Sequence, residues 1–144
     1  MSDTLTNVKG GEFLIKDIAA SEIFSLEELN EEQKMLRDSI KEFIDKEVVP
    51  NRERFEHKDY ALTEEVMRKL GEMGVLGIAV PEEYGGLGMD FTTTMLACDM
   101  ASGANGSVAT AYGAHTGIGT LPILLYGTEE QKKKYLPDLA QGTK

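Results

Sequence analysis

The chain has 144 residues, of which 25 are acidic and 15 are basic, so its formal charge is −10 at pH 7. Binding to nucleic acid or to an anionic membrane surface needs clustered Lys and Arg side chains, and this acidic balance argues against both partners. The composition, 41% hydrophobic and 28% charged, is that of a globular domain and not of a disordered chain. We therefore expect about one folded domain.

Three features indicate the compartment in which the protein is expected. Cys98 is the only cysteine, so it cannot form an internal disulfide or a thiolate metal site, and it suits a reducing environment. Residues 1–5 lack the basic start and the apolar run of a signal peptide. Between Phe91 and Thr128 only Asp99 is charged, but polar residues interrupt every window long enough to span a bilayer. We expect a cytoplasmic protein without a transmembrane segment.

The first half of the chain is predicted to form an arm and two helices. Residues 1–24 are mixed in character, and we expect them to form an N-terminal arm on a domain made by residues 25–144. Capping signals at Ser25 and Asn30 precede apolar residues spaced three and four apart, which predicts a first helix. Pro50 is expected to end it. A second helix is predicted from about Thr63 to Gly74.

Turn-forming residues separate these helices from the second half of the chain. Residues 75–88 end with four glycine or proline residues among eight, which predicts an ordered loop. Asp90 is a suitable N-cap for a third helix that runs to about Ala104. A fourth helix is expected over residues 107–126, with a kink or a division at Pro122.

The last predicted helix begins at a capping box. Thr128 and Gln131 have the spacing of such a box, and Pro137 is expected to break the helix that follows. No strand alternation of useful length occurs in the sequence. We therefore predict an all-α fold, an orthogonal or up-down helical bundle.

No complete catalytic site can be assembled from the residues alone. The two histidines, His57 and His115, have no partner at metal-ligand spacing, so zinc and di-iron sites lack support, and His115 is expected to be a satisfied core residue. The glycine-rich run of residues 84–88 lacks the spacing of a dinucleotide or phosphate loop. We interpret that run as a backbone pivot between two helices.

Gly113 and Gly117 place two positions without side chains on one face of the fourth predicted helix. Each glycine costs a helix about 1 kcal/mol relative to alanine, so packing or function should compensate. Two explanations are open. Either another helix packs closely there, or a thin ligand such as an acyl chain passes where side chains are missing.

Three motifs occur in an order that is typical of one enzyme family. They are residues 81–88, residues 113–119 and residues 123–137. Together they resemble the N-terminal helical domain of the acyl-CoA dehydrogenases over most of residues 26–142. The arm around residues 10–14 and the Gly-Ala-His run at residue 113 are most similar to the long- and very-long-chain members.

The resemblance implies a flavoprotein of fatty-acid β-oxidation. Members of the family combine this domain with a middle β domain and a C-terminal four-helix domain. They oxidise a fatty acyl-CoA to the trans-2-enoyl thioester, as a glutamate removes the α proton and the β hydride passes to FAD. Electron-transferring flavoprotein then reoxidises the flavin. The resemblance further implies a homo-oligomer.

For this chain the resemblance implies a role in shaping the substrate pocket. Its matching positions, Thr110, Ala111, Ala114 and Ile118, would form one wall of the acyl-chain cavity, and their small neighbours favour long chains. No catalytic, cofactor-binding or metal-binding residue is expected here, because the family's base and most FAD contacts come from the other two domains. We therefore expect a segment of a larger protein that is inactive alone and does not hold FAD by itself.

Two alternatives remain open. One is the corresponding domain of an acyl-CoA oxidase, a related flavoenzyme that differs mostly in the other domains. The other is a free-standing helical module that binds a protein through its uncharged segment, residues 91–128.

Overall fold

The computed structural model describes residues 28–144, together with Ile15 and Asp17. Its contacts divide the chain into a unit that ends at Asn30 and a second unit from Glu31 to Lys144. The predicted arm, apart from those two positions, and the capping signal at Ser25 lie outside the described residues. The division into residues 1–24 and 25–144 therefore stays a prediction.

The second unit is built from helices. The α-helices are α1 (Glu31–Phe43), α2 (Arg52–Glu56), α3 (Tyr60–Glu72), α4 (Phe91–Ser102), α5 (Gly106–Gly113), α6 (Leu121–Tyr126) and α7 (Glu129–Gln141). Two π-helical segments, Ile44–Val48 and Ala114–Thr120, and three 3-10 turns, Val49–Asn51, Val75–Gly77 and Glu82–Tyr84, connect them. No strand occurs among residues 31–144, which confirms the all-α prediction.

The larger hydrophobic core lies between α1, α3, α4 and α5. Fully or nearly fully buried side chains from these helices and from the loop after α3 meet there, among them Ile40, Val66, Ala97, Tyr112 and Leu76. α4 packs against both α1 and α5, and α3 packs against α5. None of the described helices has the length and hydropathy that a bilayer span requires.

A smaller core joins the loop to the last helix. Val80 and Tyr84 of the loop pack with Leu136 and Ala140 of α7. The Tyr84 hydroxyl donates a hydrogen bond to Glu129 Oε2 at 2.8 Å, at the start of α7. This carboxylate raises the pKa of Tyr84 to about 12. The loop is therefore held to α7 by both apolar and polar contacts.

The helix that begins at Glu31 ends at Val48, two residues before Pro50, as predicted, but the chain does not leave helical structure there. Residues 49–51 form a 3-10 turn and α2 follows directly. The Val49 N–H donates to the Ile44 carbonyl, and the Asn51 side chain donates to the Glu47 carbonyl at 2.8 Å. Proline lacks an N–H, but at the first turn of a new helical segment that donor is not needed. The chain therefore changes helix type at Pro50 and continues.

The second predicted helix begins earlier than expected. α3 starts at Tyr60, three residues before Thr63, because Asp59 Oδ1 accepts the Leu62 N–H at 3.1 Å and so caps the helix. Its predicted end is confirmed, since Gly74 follows α3 with a left-handed φ of 77°.

The expected break at Pro137 is wrong. The Thr128 capping box is confirmed, with Thr128 and Gln131 bonded reciprocally, and α7 continues through Pro137 to Gln141. Leu136 and Ala140 are buried beside the proline. Their packing outweighs the cost of an interior proline, which is about 3 kcal/mol.

Candidate functional site

The fourth predicted helix is one helical path made of α5, the π-helical segment and α6. Asn105 Oδ1 caps α5 by accepting the N–H groups of Ser107 and Val108 at 2.9 and 3.2 Å. The change of helix type occurs over Ala114–Thr120, before Pro122, which lies in the first turn of α6. The path is thus divided next to Pro122, as predicted, and Pro122 lies in the first turn of α6, where a proline is compatible with a helix.

Hydroxyl groups stabilise the π-helical segment. Thr116 Oγ1 donates to the Tyr112 carbonyl at 2.8 Å, and Thr120 Oγ1 donates to the His115 carbonyl at 2.7 Å. The His115 ring is half-buried, and its Nε2 lies 2.8 Å from the Leu139 carbonyl oxygen. His115 was predicted to be a satisfied core residue: its ring has a partner, which joins this segment to α7, but it is half-buried and does not lie in the core.

Gly113 and Gly117 face open space. A Cβ added at either position meets no heavy atom within 4 Å. Within the described part of the chain no helix packs closely against them, so the packing explanation would need a helix from another part of the complete protein. Both explanations, a closely packed helix and a thin ligand, stay predictions.

An apolar cavity of about 290 Å³ opens beside these glycines. It lies between α4, the stretch of residues 112–121 and loop residues 75–80. α4 contributes Phe91, Met95 and Cys98 to the lining, and the facing helix contributes Gly113 and Gly117. No charged side chain lines the cavity.

The polar groups that line the cavity already have partners inside the protein. Besides Thr116 and Thr120, the Thr94 hydroxyl donates to the Asp90 carbonyl at 3.0 Å. The Tyr112 hydroxyl donates to the Val75 carbonyl at 3.3 Å, and burial raises the pKa of Tyr112. The cavity wall therefore offers surface for apolar contact and no free group for recognising a polar ligand.

The four residues predicted from the sequence do not line this cavity. Thr110, Ala114 and Ile118 follow one another at intervals of four residues and are exposed, Ile118 by 80%. Ala111 lies elsewhere, in a more polar cavity that it shares with His115. The structure thus brings three of the four to one exposed row beside Gly113 and Gly117, and their role stays a prediction.

Sequence reasoning missed the contribution of α4. Phe91 and Met95 of this helix are 75% and 44% exposed. Phe91, Met95 and Cys98 have the spacing of one helix face, which was the available signal. Their pairing with Gly113 and Gly117 depends on the packing of α4 against α5.

The glycine-rich loop does not form a phosphate site. The backbone N–H groups of residues 85–89 all donate to carbonyl groups of the same loop and its neighbours, at 2.8–3.2 Å. A Cβ at Gly86 would collide with the carbonyl oxygen of Val80. These N–H groups are therefore occupied, and the interpretation of the loop as a backbone pivot stays a prediction.

The described residues do not fit a flavin site either. The loop amides are used internally, and no buried side-chain donor or acceptor among the described residues lacks a partner. A flavin needs donors for its ring and its phosphates, and this part of the chain leaves none free inside the fold. Nor does any group of three His, Cys, Asp or Glu side chains in the described residues have the arrangement of a metal site.

Fold and site together define an all-helical domain that presents an uncovered helix with an adjoining apolar cavity. The chain belongs to the family described as acyl-CoA dehydrogenase, N-terminal domain, whose model matches residues 30–143. The family prediction is thereby confirmed, whereas the closer similarity to long-chain members stays a prediction.

Named relatives agree with this assignment. The chain is 44% identical over 136 residues to a probable acyl-CoA dehydrogenase of Bacillus subtilis (strain 168), which covers 94% of this chain and 23% of that protein. It is 40% identical over 111 residues to the mitochondrial isovaleryl-CoA dehydrogenase of Solanum tuberosum. This match covers 76% of this chain and 27% of that protein.

A solved structure shows the same fold. The crystal structure of an acyl-CoA dehydrogenase complexed with FAD from Bacillus anthracis matches with a TM-score of 0.89 and 45% identity, over 96% of this chain and 24% of that one. The chain thus spans about a quarter of the length of these relatives.

Proposed function

We propose that this chain is the substrate-shaping N-terminal domain of a FAD-dependent acyl-CoA dehydrogenase, and that it forms one wall of the acyl-chain pocket. Family membership supports the class of reaction, the oxidation of a fatty acyl-CoA to trans-2-enoyl-CoA. The observation that carries the placement is the exposed row of Thr110, Ala114 and Ile118 beside the open positions Gly113 and Gly117.

The chemistry of this surface suits an acyl chain. The row and its neighbours carry small or apolar side chains without charge. Each methylene that leaves water for such a surface contributes about 0.8 kcal/mol. A wall of this kind holds the chain in place, keeps water away from it and so fixes where the thioester lies relative to the reacting groups.

The proposal assigns no catalytic residue to this chain. Removal of the α proton needs a base within hydrogen-bond reach of the substrate, and no carboxylate lines the apolar cavity. The base and the flavin site would belong to parts of the complete protein other than the described residues. The FAD in the Bacillus anthracis structure supports the choice of cofactor.

The remaining assignments rest on the same family relation. We propose that electron-transferring flavoprotein accepts the electrons, which distinguishes the enzyme from an acyl-CoA oxidase, where oxygen is the acceptor. We propose further that the complete protein acts in fatty-acid β-oxidation as a homo-oligomer.

Small side chains along the wall support a preference for long acyl chains. Thr110, Ala111 and Ala114 leave room that larger residues would fill. The isovaleryl-CoA relative shows that a similar domain occurs in an enzyme named for a short, branched substrate.

The test uses purified protein from the complete reading frame that contains this sequence. We expect turnover to increase from butyryl- through octanoyl- to palmitoyl-CoA. Ala114→Leu should lower kcat/KM for palmitoyl-CoA about tenfold, since added bulk in a substrate channel typically costs 1–3 kcal/mol. Ala61→Leu, the same change at an exposed position on α3, is the control.

Two outcomes would contradict this placement. A medium-chain optimum in the unchanged protein would overturn the long-chain preference. Equal kcat/KM for Ala114→Leu and Ala61→Leu with every substrate would show that the acyl chain does not touch the row.

A further inference from the structure

The helical path of residues 106–126 widens over Ala114–Thr120, where its backbone is π-helical. A π-helix closes its hydrogen bonds over five residues instead of four. Such helices are rare, mostly extend over a single turn and are frequent at functional sites. Because this segment has seven residues, contacts within the protein have to stabilise it against the ordinary α-helix.

The Thr120 hydroxyl makes a contact that belongs to the wide turn. It donates to the carbonyl of His115, five residues earlier, at 2.7 Å. In an α-helix a threonine hydroxyl reaches the carbonyl three or four residues earlier. Thr120 is 2% exposed, so water does not replace this acceptor. The hydrogen bond therefore favours the π register over the α register.

A second contact joins the wide turn to α7. His115 Nε2 donates to the Leu139 carbonyl oxygen at 2.8 Å, since a carbonyl oxygen only accepts. Leu139 lies in the last turn of α7, and its neighbour Ala140 is buried. The His115 ring is thus bonded to a packed helix, which fixes the rotation of the segment about its axis.

Gly119 leaves room for the backbone of the same turn. An ideal Cβ at this position would lie 3.3 Å from the carbonyl oxygen of Ala114, five residues earlier. A side chain there would press on a backbone atom that side-chain rotation does not move. The absence of a side chain at Gly119 is therefore compatible with the close approach of these two backbone segments.

The register of the segment determines which side chains share a face. Four residues of an α-helix turn through about 400°, at 3.6 residues per turn. A wider turn contains more residues, so the same four residues turn through a smaller angle. Ala114 and Ile118 are four residues apart, and both lie in the segment. A return to the α-helix would therefore rotate Ile118, and every residue after it, relative to Ala114.

From these contacts we propose that Thr120 and His115 are positioning residues. They hold residues 114–120 in the π register, and this register sets the direction in which Ala114 and Ile118 face the acyl chain. The inference rests on the proposed function, because it takes the exposed row as a wall of the acyl-chain pocket. Both residues act through the backbone of the segment.

Thr120→Val in the complete protein removes the hydroxyl and keeps the shape of the side chain. We expect the ratio of kcat/KM for palmitoyl-CoA to that for butyryl-CoA to change at least about tenfold, because a misplacement of about 1 Å can cost about a hundredfold. Thr120→Ser keeps the hydroxyl and should preserve the ratio. Thr63→Val is the matched control, since the Thr63 hydroxyl donates to the Asp59 carbonyl, four residues earlier, at the start of α3.

A second pair of variants tests the contact with α7. His115→Leu removes the donor and should change the same ratio, whereas His115→Gln keeps a donor and should restore it at least in part. His57→Leu, at an exposed position, is the control. The two pairs are independent, so a variant that does not fold leaves the other pair to decide.

Absence of turnover by the unchanged protein with every acyl-CoA would refute the proposed function. Turnover with a ratio that neither Thr120→Val nor His115→Leu alters would refute the positioning role alone. A crystal structure of Thr120→Val in which residues 114–120 keep their hydrogen bonds over five residues would also refute it. An equal loss of activity toward all acyl-CoA substrates, not restored by Thr120→Ser, would show a purely structural role and contradict the proposal.

Discussion

Gly86 occupies a position in the loop that has no room for a side chain. An ideal Cβ would collide with the Val80 carbonyl oxygen and would lie 2.5 Å from that of Gly77. Both obstacles are backbone atoms, so a side-chain rotation cannot relieve the overlap. The smallest possible substitution must therefore shift the loop that joins the two cores.

We expect Gly86→Ala to lower the free energy of unfolding by about 3 kcal/mol or more, because overpacking against the backbone forces the loop to move. Gly106→Ala is the control, since a Cβ there meets nothing within 4 Å, and at the first residue of α5 it should leave stability unchanged or raise it by up to about 1 kcal/mol. Urea unfolding followed by circular dichroism measures both. Equal stabilities of the two variants would show that the loop is not packed as described.

At the scale of residues, local sequence patterns identified individual residues of the site but not which residues lie opposite one another. Gly113 and Gly117 could be identified from the sequence because glycine is costly within a helix. That Met95 lies opposite them could not, because it depends on how α4 packs against α5. The wall of the site could thus be predicted in part, and the cavity could not.

Among the helices, α4 has a cap that the sequence predicted. Asp90 Oδ1 accepts the N–H of Thr93 at 2.8 Å and its hydroxyl at 2.6 Å. These hydrogen bonds, the hydroxyl first, lower the pKa of Asp90. The Thr93 hydroxyl also accepts a hydrogen bond from Gln33 of α1 at 3.0 Å, so the cap links two helices.

We expect Asp90→Ala to lower the free energy of unfolding by about 1–2 kcal/mol at neutral pH, as loss of an N-cap typically does. Folding lowers the pKa of Asp90, so the stabilisation is present above the ordinary carboxyl pKa and is lost as the pH falls through the lowered value. The difference in the free energy of unfolding between the unchanged protein and Asp90→Ala should therefore become smaller as the pH falls.

Asp99→Ala is the control for the cap, because it removes an exposed carboxylate from the middle of the same helix. Unfolding of all three proteins is measured between about pH 7 and about pH 2, a range that spans the ordinary carboxyl pKa. A deficit of Asp90→Ala that stays constant over this range would contradict the role of the charged cap.

At the scale of elements, caps were predicted more reliably than breaks. Asp90 and Thr128 cap helices as their side chains predicted, since capping depends on residues within one turn. Pro137 lies inside α7 and does not interrupt it, with the buried side chains of Leu136 and Ala140 beside it, whereas Pro50 stands where one helical segment ends and the next begins.

Over the whole molecule, large apolar side chains remain at the surface. Phe91, Ile118, Leu125 and Tyr126 are 75%, 80%, 63% and 86% exposed. Exposed apolar residues in this number are characteristic of surfaces that contact another molecule or another part of a protein.

We therefore expect the 144-residue chain to bind a hydrophobic dye and to self-associate with increasing concentration. The double variant Ile118→Ser and Leu125→Ser should reduce both effects, whereas Met35→Ser, at an exposed apolar position on α1, should not. Dye fluorescence measures the dye binding, and sedimentation measures the self-association. A monomer without dye binding at high concentration would contradict this expectation.

The fold class and the family could be predicted from the whole sequence. Helix periodicity indicates an all-α fold, and the three ordered motifs indicate a helical domain of the same family. The composition of the site could be predicted less well. Its side chains come from segments that are distant in sequence, such as residues 75–80 and 112–121, and only packing brings them together.

The most direct test of the proposed function is the visible absorption spectrum of the protein made from the complete reading frame, before and after anaerobic addition of palmitoyl-CoA. We predict a flavin band that bleaches on addition of the substrate. A colourless protein, or a flavin band that palmitoyl-, octanoyl- and butyryl-CoA all leave unchanged, would contradict the assignment of this domain to an acyl-CoA dehydrogenase.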